Sequence, residues 1–87
     1  MTMLLVDAGN TRVKWALVQD GAAPGDWLAH GAVAHAELDG LSEAWAGRGA
    51  TRAIISNVAG AALRERLAAL LARLWPTLQP EWFSAQA

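Results

Sequence analysis

The sequence predicts an α/β fold, a mixed sheet in which an antiparallel three-strand meander is followed by parallel βαβ connections. Three observations carry the prediction. The apolar run Met3 to Val6 passes into Asp-Ala-Gly-Asn-Thr and then into strict alternation from Arg12 onward. The compact apolar stretch Ala53-Ile54-Ile55 has the length and β-branched content of a buried strand. Beyond it, Leu63, Leu67, Leu70, Leu71 and Leu74 recur at helical spacing ahead of a last strand candidate.

Each element follows from its residues. Met3 to Val6 is a strand, and Gly9 and Asn10 behind it are the residues that tolerate positive φ, so a tight turn is expected there. From Arg12 the side chains of Arg12, Lys14, Ala16 and Val18 point one way and those of Val13, Trp15, Leu17 and Gln19 the other, so a second strand returns antiparallel. The cluster Asp20 to Asp26 is a turn, and Trp27 to Ala34 a third strand that Gly31 weakens. Ala36 to Ala46 places Leu38, Leu41 and Trp45 on one helical face, with Gly40 as a weak point. Gly47-Arg-Gly-Ala ends that helix. Thr51 to Ser56 is the fourth strand, Gly60 to Trp75 a helix that stops before Pro76, and Glu81 to Ala85 a strand parallel to the fourth.

An antiparallel meander followed by parallel crossovers is the ribonuclease H-like order, shared by nucleases and by actin-like sugar, acetate and pantothenate kinases. This is a fold-level analogy and by itself fixes no chemistry. Residues 1–87 are expected to form the N-terminal part of such a domain, because the chain stops at the strand behind which a covering helix is expected.

Charge and composition exclude several functions. Eight acidic residues against seven Lys and Arg give a formal charge of −1, without the clustered basic excess of a nucleic-acid binder. No apolar run approaches the roughly 20 residues of a membrane span. The opening residues run into Asp7 without the basic region and cleavage site of a secretory signal. The absence of cysteine excludes disulfides and thiolate metal sites. A soluble, cytoplasmic chain without nucleic-acid or membrane partners is therefore expected. Its 54% hydrophobic content is high for so short a domain and points to apolar surface awaiting a partner subunit or further chain, the alternative being an Ala-rich composition set by genomic base bias.

The chemistry concentrates in Asp7-Ala8-Gly9-Asn10-Thr11-Arg12-Val13-Lys14. A nucleoside triphosphate needs backbone N–H groups close to its oxygens, a cation to offset charge, and a metal near the β- and γ-phosphates. Gly9 removes the side chain that would obstruct the backbone, and Asn10 and Thr11 can donate to phosphate oxygens. Asp7 would be repelled by phosphate directly but can hold Mg²⁺ through water. Lys14 supplies a mobile positive charge and is the sole lysine of a chain that otherwise uses arginine. That exception points to a local requirement, although a hairpin turn with an exposed lysine has the same appearance.

The segment resembles the N-terminal phosphate-binding motif of type III pantothenate kinases, Asp-x-Gly-Asn-Thr-x-x-Lys. Looser similarity extends through Ile54-Ile-Ser-Asn-Val58 and the closing Glu81-Trp-Phe-Ser84. The resemblance implies ATP-dependent phosphorylation of pantothenate, the first step toward coenzyme A, by a bacterial homodimer that uses Mg²⁺ and a monovalent cation, K⁺ or NH₄⁺. It places ATP binding on residues Asp7 to Lys14. It places the catalytic base, the pantothenate contacts and the monovalent-cation ligands in motifs outside this sequence, so the 87-residue chain alone is expected to be inactive.

Two other function classes compete. A ribonuclease H-like nuclease also carries an Asp on its first strand, but two-metal hydrolysis needs convergent carboxylates, and the fourth strand ends in Asn57. A non-catalytic nucleotide-binding module or accessory protein would keep the turn without the chemistry. Outside the motif the readings are structural. Ser56 and Asn57 serve as caps for the following helix in preference to substrate contacts. His30 and His35 are surface or packing residues, not zinc ligands. The five tryptophans are packing anchors, some at a subunit contact. Arg64, Arg66 and Arg73 form the solvated face of the long helix.

Overall fold

The computed structural model describes residues 2–19 and 27–84, and within them builds one five-stranded sheet. Strands β1 (Thr2–Ala8), β2 (Arg12–Gln19) and β3 (Trp27–Ala34) form the antiparallel meander. Strands β4 (Ala50–Asn57) and β5 (Glu81–Ser84) extend it in parallel from the other side of β1, giving the order β3-β2-β1-β4-β5. The expected turn at residues 20–26 and the last expected strand residue, Ala85, lie outside the described residues.

The period-two pattern of the sequence explains why one face became the core. Leu4, Val6 and Ala8 of β1, Val13 and Leu17 of β2, and Ala53 and Ile55 of β4 are all buried in one cluster. They meet Leu63, Leu67, Leu70 and Leu71 of α2 (Ala61–Leu74), the stripe expected from the leucine spacing. Burying such side chains stabilises the fold by about 1.5–3 kcal/mol each. Residues of the opposite parity, Leu5, Asp7, Lys14, Ile54 and Ser56, lie outside this cluster, so among the described residues the helices pack on one face only. Trp27, Leu28, Val58 and Phe83 remain substantially exposed.

The helix expected over residues 36–46 is two shorter pieces, a 3₁₀ segment at His35–Gly40 followed by α1 (Leu41–Trp45). Leu38, Leu41 and Trp45 are nevertheless all buried as expected. Gly40 marks the junction, where neither piece gains a side-chain cap. The tryptophans are less dispersed than their sequence positions imply. Trp45 is fully buried, meets Trp15 edge-on at 5.9 Å and stacks on Trp75 at 6.1 Å. Trp75 donates its indole N–H to the Arg48 carbonyl at 2.7 Å, whereas the buried Trp45 Nε1 has no partner among the described residues.

Arginine readings divide. Arg64 does not simply face solvent: its guanidinium sits 4.8 Å above the Trp82 ring and ties α2 to β5. Arg66 and Arg73 are exposed, with Asp39 beside the same shallow groove. Arg52 of β4 donates to both carboxylate oxygens of Glu81 in β5, at 2.6 and 3.2 Å. That hydrogen bond, reinforced by the positive charge of Arg52, lowers the Glu81 pKa. No helix among the described residues is long and apolar enough to cross a membrane.

Candidate functional site

Asp7 sits near the C-terminal end of β1, on the face opposite the core, and the strand register determines its neighbours. Its Cα partners are Lys14 in β2 and Ser56 in β4. Lys14, Asp7 and Ser56 thus form a polar row across the three central strands, at the carboxyl ends of two parallel ones, where open α/β sheets bind ligands. Asp7 and Lys14 are exposed, Ser56 is half-buried, and among the described residues no ion pair joins Asp7 to Lys14.

The turn beyond this row has an unusual hydrogen-bond pattern. The Gly9 amide donates to the Arg12 carbonyl at 2.9 Å, and the Ala8 carbonyl accepts from the Val58 amide at 3.0 Å. The reciprocal bond from the Arg12 amide to the Gly9 carbonyl is not formed among the described residues. Neither Gly9 nor Asn10 has positive φ, contrary to the expectation from their residue types. The need for glycine at position 9 is one of space: a Cβ there would stand 3.3 Å from the Arg12 carbonyl oxygen. Among the described residues Asn10 and Thr11 make no hydrogen bond, which leaves their donors for a ligand.

Asp7, Gly9, Thr11, Arg12 and Lys14 line one concavity of about 330 Å³. A second, more apolar concavity of about 310 Å³ adjoins it, sharing Asp7 and Lys14 and reaching Ser56, Ile54 and Trp27. The structure therefore brings together five of the eight motif residues as lining. Ala8 and Val13 are fully buried in the core, so they can reach a ligand only through backbone groups. Asn10 is exposed at the tip of the turn.

Of the two residues read as helix caps, only Asn57 acts near the helix. It accepts from the Ala59 amide at 2.9 Å and donates to the Gly60 carbonyl at 3.0 Å, shaping the approach to α2. The N-cap itself is Gly60, at φ 99, without a side-chain cap bond. Ser56 instead faces the apolar concavity. His30 packs edge-on against Trp27, 4.9 Å between ring centroids. His35 was the residue that sequence reasoning missed: its Nε2 lies 2.7 Å from the Gly9 carbonyl oxygen. The only sequence signal for this contact is positional, since His35 follows Ala34, the register partner of Arg12 at the foot of the same turn.

A polar row beside a glycine turn with free donors suits a phosphate-bearing ligand, and comparison with known proteins is decisive on family. The model of the family described as Type III pantothenate kinase matches residues 3–87. The chain belongs to the type III pantothenate kinase family. Among its relatives, a protein of Janthinobacterium sp. (strain Marseille) named type III pantothenate kinase is 48% identical over 90 residues, covering 98% of this chain and 35% of the relative. One of the same name from Herminiimonas arsenicoxydans is 43% identical over 86 residues, covering 95% of the chain and 33% of the relative. Another, from Paraburkholderia xenovorans (strain LB400), is 46% identical over 87 residues, covering 97% and 30%. The chain thus spans about a third of the length of the curated type III pantothenate kinases it matches. Family membership fits the mixed five-stranded sheet of an actin-like ATPase half-domain.

Proposed function

We propose that this chain supplies the phosphate-binding portion of an enzyme that transfers the γ-phosphoryl group of ATP to pantothenate, giving 4'-phosphopantothenate at the start of coenzyme A synthesis. The observation that carries the proposal is the row Lys14–Asp7–Ser56 beside a turn whose Asn10 and Thr11 donors are uncommitted. In phosphoryl transfer the protein contributes positioning and charge stabilisation more than covalent chemistry. Residues Asp7 to Lys14 form the ATP site in this reading. The backbone and side-chain donors of Asn10 and Thr11 bind phosphate oxygens, with Gly9 allowing their close approach. Lys14 balances charge that builds on the transferring group and on the leaving ADP oxygen. Arg12 lines the same concavity and adds positive potential.

The acceptor hydroxyl of pantothenate bonds to the γ-phosphorus as the bond to the bridging oxygen of ADP breaks. Its proton passes to a base in the remainder of the full-length protein: among the described residues Asp7 is the one carboxylate lining the turn-side concavity, and in this reading it is engaged with the water shell of Mg²⁺. One carboxylate fits Mg²⁺ held mainly by phosphate oxygens and water, the usual arrangement for this hard, strongly hydrated ion. When bound, Mg²⁺ would neutralise charge on the β- and γ-phosphates. The monovalent cation, K⁺ or NH₄⁺, takes its ligands from elsewhere in the full-length protein, which we place in the cytoplasm as a homodimer.

The test is Lys14→Ala in the full-length enzyme. Loss of one such stabilising donor is expected to lower ATP-dependent turnover about 10²–10³-fold. Unchanged kinetics with ATP would reject the assignment.

A further inference from the structure

We infer that His35 is a positioning residue of the phosphate turn, setting the direction of the Asn10 amide by holding the carbonyl of the same peptide unit. The inference rests on the phosphate-binding reading of that turn and adds a residue that lies well outside the motif.

The geometry is specific. His35 Nε2 is 2.7 Å from the Gly9 carbonyl oxygen, in a partly buried contact. A carbonyl oxygen only accepts, so Nε2–H is the donor in this contact. This donor replaces the missing Arg12 amide, which would otherwise hold the Gly9 carbonyl in a two-way hairpin closure. The peptide unit joining Gly9 to Asn10 is planar and trans, so its C=O and N–H point in opposite directions. His35 opens the 3₁₀ segment whose Leu38 is packed into the core on the covered face of the sheet. Drawing the Gly9 carbonyl toward that segment therefore sends the Asn10 N–H away from it, toward the face that carries Asp7 and Lys14. The adjoining anchors leave this peptide unit little other support: Gly9 N–H is used by Arg12 and the Ala8 carbonyl by Val58, while Asn10 and Thr11 are uncommitted among the described residues. Without the imidazole N–H, the Gly9–Asn10 peptide is free to rotate and its amide to leave the phosphate.

The experiment compares His35→Phe, which keeps a ring but no donor, with His35→Gln, which keeps an N–H donor, in the full-length enzyme. KM for ATP and for pantothenate, Kd of a non-hydrolysable ATP analogue and thermal midpoint are measured for each. His35→Phe is expected to weaken ATP binding about three- to tenfold, the effect of one hydrogen bond, and to leave KM for pantothenate unchanged. His35→Gln is expected to restore most of the affinity. A folded His35→Phe enzyme with wild-type ATP affinity overturns the inference, as does equal loss in the Phe and Gln variants. Should the Phe variant fail to fold, ¹⁵N NMR of the wild-type imidazole decides: an Nε2–H protected from exchange with water supports the contact, and an Nε2 that is unprotonated or exchanges freely overturns it. Lys14→Ala run in parallel separates the two readings. Weakened ATP binding in Lys14→Ala with none in His35→Phe removes this inference alone, whereas no effect in either removes the phosphate site itself.

Discussion

Single residues carry the sharpest consequences, and Gly9 is the first. Its demand is a close approach to the Arg12 carbonyl, 3.3 Å from where a Cβ would stand, so Gly9→Ala must shift the turn by a few tenths of an ångström. Weaker ATP binding is expected in that variant, with stability changed by only about 1 kcal/mol, checked by nucleotide titration and thermal melts. Residue type alone pointed to glycine for another reason, positive φ, because the sequence displays what a residue tolerates and not what its neighbours leave room for. His35 was illegible for a related reason. Its partner lies 26 residues away, and no local pattern records a bond between a histidine ring and a distant carbonyl. Trp45 illustrates packing of the same kind. Its indole N–H is buried without a partner among the described residues, so Trp45→Phe removes an unsatisfied donor along with part of the ring. It should cost less than about 1.5 kcal/mol, against about 3–5 kcal/mol for Trp45→Ala, measurable by denaturant unfolding.

Secondary-structure elements were the most legible part of the chain, and their failures are instructive. Alternation from Arg12 and the leucine stripe from Leu63 each repeat often enough to define a period, and β2 and α2 appear where those periods place them. Residues 36–46 offer only Leu38, Leu41 and Trp45, spacings of three and four that a 3₁₀ turn leading into one α turn satisfies as well as a continuous helix does. Leu67 is fully buried at the centre of α2, and Leu67→Ala is expected to destabilise the fold by about 2–5 kcal/mol in chemical denaturation. The junction of β4 and β5 should respond to pH. Arg52 holds the Glu81 carboxylate by hydrogen bonds and lowers its pKa in the folded state. A lowered folded-state value stabilises the fold above the ordinary carboxylate range, and that contribution disappears as pH falls through the lowered value. Because both side chains are largely exposed, the effect should be modest and salt-sensitive. The protection factors of the Trp82 and Phe83 amides, exchange rates corrected for their intrinsic pH dependence, should therefore fall slightly in acid in the wild type, and Glu81→Gln should abolish the acid-specific part of the change.

At the scale of the whole molecule, one sheet has been given two different faces. The covered face holds the core, and the other presents a polar row at one end and apolar side chains, including half-exposed Trp27 and Phe83, across the remainder. The sequence motif located the polar end because its eight residues are contiguous and fold back on themselves as a hairpin. The register with Ser56 and the adjoining apolar concavity needed the sheet, since β4 reaches β1 only after a long crossover. Among the described residues the phosphate turn has one carboxylate and no second acid to deprotonate an acceptor, so the 87-residue chain should bind ATP without phosphorylating pantothenate. In the proposed site the hairpin turn between β1 and β2 grips the phosphates of ATP. A crystal structure of the full-length enzyme with a non-hydrolysable ATP analogue tests it most directly. Phosphate oxygens are expected within about 3 Å of the Asn10 or Thr11 donors and of Lys14 Nζ. A triphosphate bound elsewhere, with that turn facing solvent, would contradict it.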